Sequence, residues 1–166
     1  MNLYLPTLPT PSRHGKGAKN IIPPLHCVQK TQYFVNMTNI AEIQETFEVL
    51  DDWEDRYAYL IDLGRNLPEF PENYKNECNL VKGCTSQVWM VLKNENGKIH
   101  IQADSDAHIV RGLIAIVIAT YNGQDVAEVK NIDMEQIFKD LGLSDHLSPN
   151  RRNGFFAMVE RVKLIS

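Results

Sequence analysis

The sequence is poor in the features that mark several classes of protein. It has 3 cysteines in 166 residues, too few and too unevenly spaced for the disulfide framework of a small secreted domain. Its longest uninterrupted apolar run, residues 113–119, is far shorter than the roughly 20 residues that cross a bilayer. Its 17 Lys and Arg are outnumbered by 21 Asp and Glu, so no basic excess indicates nucleic-acid binding. The composition therefore predicts a soluble, cytoplasmic globular protein that binds neither membrane nor nucleic acid.

Acidic residues are absent from the first 36 residues, which hold five of the eight prolines. The charged residues of this segment are all cations: Arg13, Lys16, Lys19 and Lys30. Because it has no helical or alternating apolar period, residues 1–36 are predicted to be a disordered or dispensable extension. A targeting segment and an upstream start ahead of Met37 are the alternatives. Residues 37–166 are then one domain, which carries all 21 acidic residues.

Regular patterns begin at Thr38. Thr38 or Asn39 is predicted to cap a first helix with an apolar stripe, and Asp52 a second helix that ends at residues 64–66. Two strands are predicted around the turn signal of residues 94–97, and further strand-like residues precede them. The predicted strands are residues 86–92 and 98–103, with a third over residues 79–82.

The second half of the domain is predicted to be helical. Asp104 and Asp106 are expected to cap a mostly apolar helix over residues 107–121, buried against the sheet. The other predicted elements are short helices over residues 126–131 and 134–141, and a last helix that Asn150 caps and that ends at Arg161 or Lys163. The fold class is therefore α+β, a short antiparallel sheet packed against helices, with helical N- and C-terminal segments.

Cys84 lies at the tip of a predicted loop that leads into the first strand. Gly83 before it can adopt a positive φ and leaves the backbone beside the sulfur open. Lys82 offers a positive charge, Ser86 a hydroxyl group, and Gln87 is expected to pack beneath the loop. Nearby cations and backbone donors lower the pKa of a thiol, and the thiolate is the nucleophile in sulfur chemistry. These local features also fit a small, buried, apolar cysteine, which is the alternative.

The stretch around Cys84 is similar to a known family signature. Residues 79–89 read Asn-Leu-Val-Lys-Gly-Cys-Thr-Ser-Gln-Val-Trp, which resembles the signature of the SufE sulfur-acceptor proteins. The similarity continues in residues 104–113, 141–143 and 146–151 and in Leu67-Pro68. It covers about residues 38–165 and implies a SufE/IscU-like fold.

The resemblance implies a function in iron–sulfur cluster assembly. A SufS-like cysteine desulfurase would hold sulfur as a persulfide, and Cys84 would attack it, stimulate the desulfurase and carry the sulfur to an iron–sulfur scaffold. A loop is expected to hide Cys84 until docking. Pyridoxal phosphate would belong to the desulfurase, so this chain would bind no cofactor. It would be a sulfurtransferase-like carrier rather than a stand-alone enzyme.

Metal binding is not expected. Cys78 and Cys84 are the only cysteines of the domain, and a cluster scaffold would be expected to supply more ligands. The histidines of the domain, His100, His108 and His146, are scattered and lack the spacing of a zinc site. The ligand count therefore favours a carrier over a scaffold.

The resemblance also places several polar residues near the acceptor loop and the surface that docks the desulfurase. They are Asp104, Asp106, His108 and Arg111. Their structural alternatives are N-caps for the aspartates and a framework role for the histidine in the first turn of the buried helix, and for Arg151 the alternative is a solvated side chain. Because a cation at a helix start is unfavourable for the helix dipole, partner contact is a reasonable role for Arg151.

Cys78 departs from the family pattern. It is either a plain loop residue or a resolving thiol that attacks a Cys84 persulfide or sulfenic acid and forms a Cys78–Cys84 disulfide. Cys27 lies in the extension and is expected to be incidental. Two other functions compete with the sulfur carrier: a non-catalytic docking protein that activates the desulfurase allosterically, and a cysteine hydrolase that pairs Cys84 with a histidine.

Overall fold

The structure, a computed structural model, describes residues 38–165, so the predictions for the extension and for Met37 lie outside the described residues. The described part of the chain contains a two-stranded antiparallel sheet and six α-helices. In chain order the elements are α1 (Ile40–Val49), α2 (Trp53–Arg65), β1 (Val88–Glu95), β2 (Lys98–Ser105), α3 (His108–Tyr121), α4 (Met134–Asp140), α5 (Leu143–His146) and α6 (Pro149–Lys163). Short 3-10 helices lie at Glu72–Tyr74, Glu77–Asn79 and Val126–Asn131. The predicted α+β class is confirmed.

The first two helices begin where their capping residues predict. The Asn39 side chain accepts a hydrogen bond from the backbone N–H of Glu42, and the Asp52 side chain accepts one from that of Asp55. Each bond satisfies a backbone N–H that has no partner within its helix. The N-terminal helical pair is therefore determined by local sequence.

The hairpin of β1 and β2 is longer than predicted and encloses a two-residue turn. Glu95 pairs with Lys98 across Asn96 and Gly97, whose φ angles of 55° and 81° define a primed turn that matches the twist of the strands. The predicted third strand is wrong. Among the described residues 79–82, pairing is limited to one isolated bridge between Leu80 and Trp89.

The predicted caps of α3 and α6 are also wrong. Asp104 belongs to β2, which runs to Ser105, and the N-cap of α3 is Ala107, whose methyl group cannot accept a hydrogen bond. Asp106 follows the strand, and its carboxylate accepts a hydrogen bond from the backbone of Gln87 instead of capping α3. Helix α6 begins at Pro149, so Asn150 lies inside its first turn. Proline suits a first helical position because its missing N–H needs no partner there.

Helix α3 is the centre of the core. It packs on α2, β2 and α6, and its buried side chains, such as Leu113 and Ile116, join those of the surrounding elements. Helices α2 and α3 approach closely at Gly64 and Gly112, where the backbones contact each other without intervening side chains. No helix in the described part of the chain is long and apolar enough to cross a membrane.

Candidate functional site

Residues 82–87 form a loop that is closed at its base by backbone hydrogen bonds. The N–H of Val81 donates to the carbonyl oxygen of Val88 at 2.8 Å, beside the Leu80–Trp89 bridge. Gly83 has a φ of 93°, a backbone conformation that is strained for residues with a side chain, so glycine suits this position. The predicted loop and its glycine therefore bring Cys84 to the loop tip.

The Cys84 side chain turns inward and lies against the first turns of α6. Its Sγ is 3.5 Å from the carbonyl oxygen of Gly154, to which the thiol donates. A Cβ added at Gly154 would lie 3.2 Å from that sulfur, so glycine keeps the space that the thiol occupies. Only the protonated thiol donates this hydrogen bond, which favours the neutral form.

Burial raises the pKa of the half-buried Cys84 thiol. This direction is opposite to the thiolate support that was expected from the loop, because Lys82 and Gly83 are exposed and the dominant effect is desolvation. Burial and the hydrogen bond to Gly154 therefore both favour the neutral thiol over the thiolate.

A pocket of about 380 Å³ opens beside the sulfur. Its wall combines apolar side chains with the polar residues at the start of α6. The lining residues are Cys84, Thr85, Ser86, Val110, Leu113, Ser148, Asn150, Arg151, Gly154 and Phe155. No histidine is among these described residues, so a cysteine–histidine pair for hydrolysis is not favoured here. Arg151 is the cationic group of the lining and is exposed to solvent.

The far end of the loop is attached to the end of β2. Asp106 accepts a hydrogen bond from the backbone N–H of Gln87 at 3.0 Å, and the Ser105 hydroxyl donates to the carbonyl oxygen of Gln87 at 2.7 Å. The Gln87 side chain is exposed, so the expectation that it packs beneath the loop is wrong. Asp106 and the neighbouring His108 are exposed beside this attachment.

Asp104 is inside the domain rather than on its surface. With 7% of its surface exposed, it pairs with Arg111 at 2.9 Å and with Lys75 at 3.2 Å. Arg111 also donates from Nε to the carbonyl oxygen of Gly64 at 3.0 Å. This network joins β2, α3, the end of α2 and the segment before the loop. Asp104 therefore offers little surface to a partner, and its docking contact stays a prediction; Arg111 is half-buried in the same framework.

The remaining predicted residues are separate from the pocket. Cys78 is exposed in the 3-10 helix before the loop and, like Cys84, is a free thiol. His100 lies 3.9 Å from Glu95, and His146 stacks on Trp53 at 3.7 Å. Within residues 38–165 no cluster of three or more His, Cys, Asp or Glu side chains is arranged to hold a metal ion. Cys27 lies outside the described residues.

The comparisons with known proteins agree with the motif around Cys84. A family model described as SufE, Fe-S metabolism associated domain, matches residues 41–165. The chain belongs to the SufE family. It is 47% identical over 131 residues to an uncharacterized SufE-like protein of Rhizobium meliloti strain 1021, covering 76% of this chain and 94% of that protein. An uncharacterized SufE-like protein of Rhizobium etli is also 47% identical over 131 residues, with 76% and 88% covered.

A solved structure supports the fold of this SufE-family chain. It is the solution structure of a hypothetical protein from Thermus thermophilus, with a TM-score of 0.62 and 20% identity. The match covers 76% of this chain and 91% of that one. At this identity the likeness concerns the fold alone.

Sequence reasoning missed two residues of this SufE-family site. Gly154 provides the space and the acceptor for the sulfur, and Arg161 donates to backbone carbonyl groups of the segment before the loop. Both lie more than sixty residues beyond the loop along the chain, and neither belongs to a local motif. A contact of this kind has no signal in a single sequence.

Alkylation of Cys84 by iodoacetamide is expected to be several-fold slower than that of the exposed Cys78 at about pH 7. Because burial raises the pKa of Cys84, the rate should increase through a midpoint above the ordinary thiol value. Mass spectrometry of the two peptides between about pH 6 and pH 11 measures both rates. Urea should remove the difference, and a native midpoint below that of a free thiol would contradict this prediction.

Proposed function

We propose that this protein is a sulfur acceptor and carrier that takes persulfide sulfur from a SufS-like cysteine desulfurase onto Cys84, stimulates that enzyme and delivers the sulfur for iron–sulfur cluster assembly. The observation that carries the proposal is the position of Cys84, at a loop tip, with its sulfur turned into a pocket beside α6. Membership of the SufE family, whose domain is associated with Fe-S metabolism, supports the same chemistry.

The proposed transfer is a thiol–disulfide type of exchange. The Cys84 thiolate attacks the outer sulfur of the desulfurase persulfide, a new S–S bond forms, and the desulfurase cysteine leaves as a thiolate. No external oxidant or reductant is needed, since the outer sulfur moves with its oxidation state unchanged. Pyridoxal phosphate serves the desulfurase in forming the first persulfide, so this chain requires no cofactor of its own.

The closed loop suits a carrier because a persulfide must survive between two partners. The pocket beside Cys84 offers space for a second sulfur atom, with Val110, Leu113 and Phe155 to limit access of water and free thiols. The guanidinium of Arg151 at the pocket rim would attract a persulfide anion. We propose the cytoplasm as the compartment, because a carrier thiol must stay reduced between transfers.

We propose that the desulfurase docks on the exposed residues beside the loop. Asp106, His108 and Arg151 are exposed, and Asp106 is hydrogen-bonded to the loop backbone at Gln87. A partner that draws away the Asp106 carboxylate would therefore release one end of the loop. Docking and exposure of Cys84 would then be coupled.

The test is to locate the persulfide after reaction with a cognate desulfurase, cysteine and pyridoxal phosphate. Thiols and persulfides are trapped with an alkylating reagent, and the masses of the resulting peptides are measured by mass spectrometry. We expect an added sulfur on Cys84, and a persulfide confined to another cysteine would contradict the proposal. The same peptides report the resolving-thiol hypothesis, because attack by Cys78 would release sulfide and leave a Cys78–Cys84 disulfide.

A second function, non-catalytic allosteric activation of a desulfurase, is favoured by one observation. Cys84 is half-buried with a raised pKa, whereas Asp106, His108 and Arg151 form an exposed surface that can dock without it. In that case stimulation would not depend on the thiol. Substitution of Cys84 separates the two functions.

A further inference from the structure

One face of α6 runs beneath the whole segment that leads to Cys84. Gly154 contacts the Cys84 sulfur, and a Cβ placed on Gly83 would lie 3.5 Å from the Cβ of Ala157. Two turns after Gly154, Arg161 donates to the backbone of residues 78–80, which lead into the loop and are called its stem below. Residues spaced by three, four or seven positions share a helix face, so this single face contacts the loop from tip to stem.

Arg161 binds three backbone carbonyl groups at once. Its Nη1 donates to the oxygen of Leu80 at 2.9 Å, and its Nη2 donates to the oxygens of Met90 at 3.1 Å and Cys78 at 3.3 Å. The planar fork of a guanidinium can span such a set, whereas the ammonium group of lysine is a compact donor on a flexible stem. The stem, the first strand and α6 are therefore joined through one side chain.

We infer that Arg161 is a positioning residue for Cys84, which fixes the stem at residues 78–80 to α6 and confines opening of the loop to residues 82–86. This inference rests on the proposed role of Cys84 as the sulfur acceptor. The far boundary of the opening segment is Gln87, which Asp106 and Ser105 hold by its backbone. The near boundary is Val81, bonded to Val88 in the base of the loop.

Holding both ends of the opening segment limits the exposure of the Cys84 thiol. With both boundaries held, the sulfur returns to the Gly154 carbonyl after each excursion, and the closed state remains dominant. Without the Arg161 guanidinium, residues 78–80 can move away from α6 together with the loop tip, so the Cys84 sulfur should be exposed to water for a larger fraction of the time. Exposure both raises access to Cys84 and removes the desolvation that raises its pKa.

The experiment measures alkylation of Cys84 by iodoacetamide against pH in the full chain carrying Arg161→Met, which keeps an apolar stem of similar length. We expect a reaction at least about tenfold faster near neutral pH, because the variant loses three hydrogen bonds to a charged group and the loss of even one corresponds to about that factor. The midpoint of the pH profile should move down toward that of a free thiol. Hydrogen exchange of the amides of residues 79–86 should become faster.

Arg152→Met on the same helix is the matched control, because Arg152 is exposed and remote from the stem contacts. Its rate and midpoint should equal those of the unchanged protein. If circular dichroism shows that Arg161→Met does not fold, Arg161→Lys, which keeps the charge but loses the fork, is expected to give the same acceleration. A folded Arg161 variant whose rate and midpoint both match the unchanged protein would overturn the inference. No desulfurase is present, so this outcome is independent of whether Cys84 forms a persulfide.

Discussion

Replacing Cys84 with serine is expected to abolish both persulfide formation on this chain and its stimulation of the desulfurase. A serine hydroxyl stays protonated near neutral pH and does not attack a sulfur–sulfur bond, so the outer sulfur would remain on the desulfurase. Sulfide release from cysteine should fall to the level of the desulfurase alone. The measurement is turnover of the desulfurase with and without each variant, combined with mass spectrometry of trapped thiols.

The fold should not account for this loss. Serine is close to cysteine in size, and its hydroxyl can donate to the Gly154 carbonyl as the thiol does. Thermal unfolding of Cys84→Ser is therefore expected near that of the unchanged protein, and Cys27→Ser is the matched control that retains stimulation. Full stimulation by Cys84→Ser would instead support the allosteric function.

The resolving-thiol hypothesis predicts a different result for Cys78→Ser. Since Cys78 is exposed and would act only after sulfur reaches Cys84, its loss should leave the Cys84 persulfide in place and prolong its lifetime. An unchanged lifetime of the Cys84 persulfide would mean that Cys78 is a loop residue that does not act as a resolving thiol.

The elements that the sequence predicts well are those with local causes. Asn39 and Asp52 cap helices through bonds to residues three positions away, and the Asn96-Gly97 turn follows from the positive φ that these residues tolerate. The position of Cys84 at a loop tip has a similar local cause in Gly83. The family resemblance then adds a function that these local patterns alone do not contain.

Two of the errors concern residues whose partners are distant in the sequence. Aspartate is a common capping residue, but Asp104 pairs instead with Arg111 and Lys75. Lys75 lies 29 positions earlier in the sequence and comes close to Asp104 only in the folded structure. The expected thiolate support failed for the same reason, because the environment of the Cys84 sulfur is set by Gly154 on α6, 70 positions away. Local charge and capping patterns do not record such contacts.

Gly112→Ala is expected to destabilise the fold strongly, although the same substitution in an ordinary helix is stabilising. A Cβ on Gly112 would overlap the carbonyl oxygen of Leu60 and lie 2.7 Å from its carbonyl carbon. These are backbone atoms of α2, so they cannot move away as a side chain can. The two helices would have to separate, and we expect a loss of about 3 kcal/mol or more in the free energy of unfolding.

The sign of the change in the free energy of unfolding identifies its cause. Helix propensity alone would add roughly 0.5 to 1 kcal/mol when alanine replaces glycine, so a loss in urea unfolding can only come from the close packing of α2 on α3. Gly64→Ala should give a loss in the same direction, because its Cβ would lie 2.6 Å from the nitrogen of Gly112. Glu45→Ala on the exposed face of α1 is the control and should change the free energy by less than about 0.5 kcal/mol. Stabilisation by Gly112→Ala would mean that the helices do not cross at these glycines. The ion pair of Asp104 would be disturbed as well, because Arg111, next to Gly112, bonds both Asp104 and the end of α2.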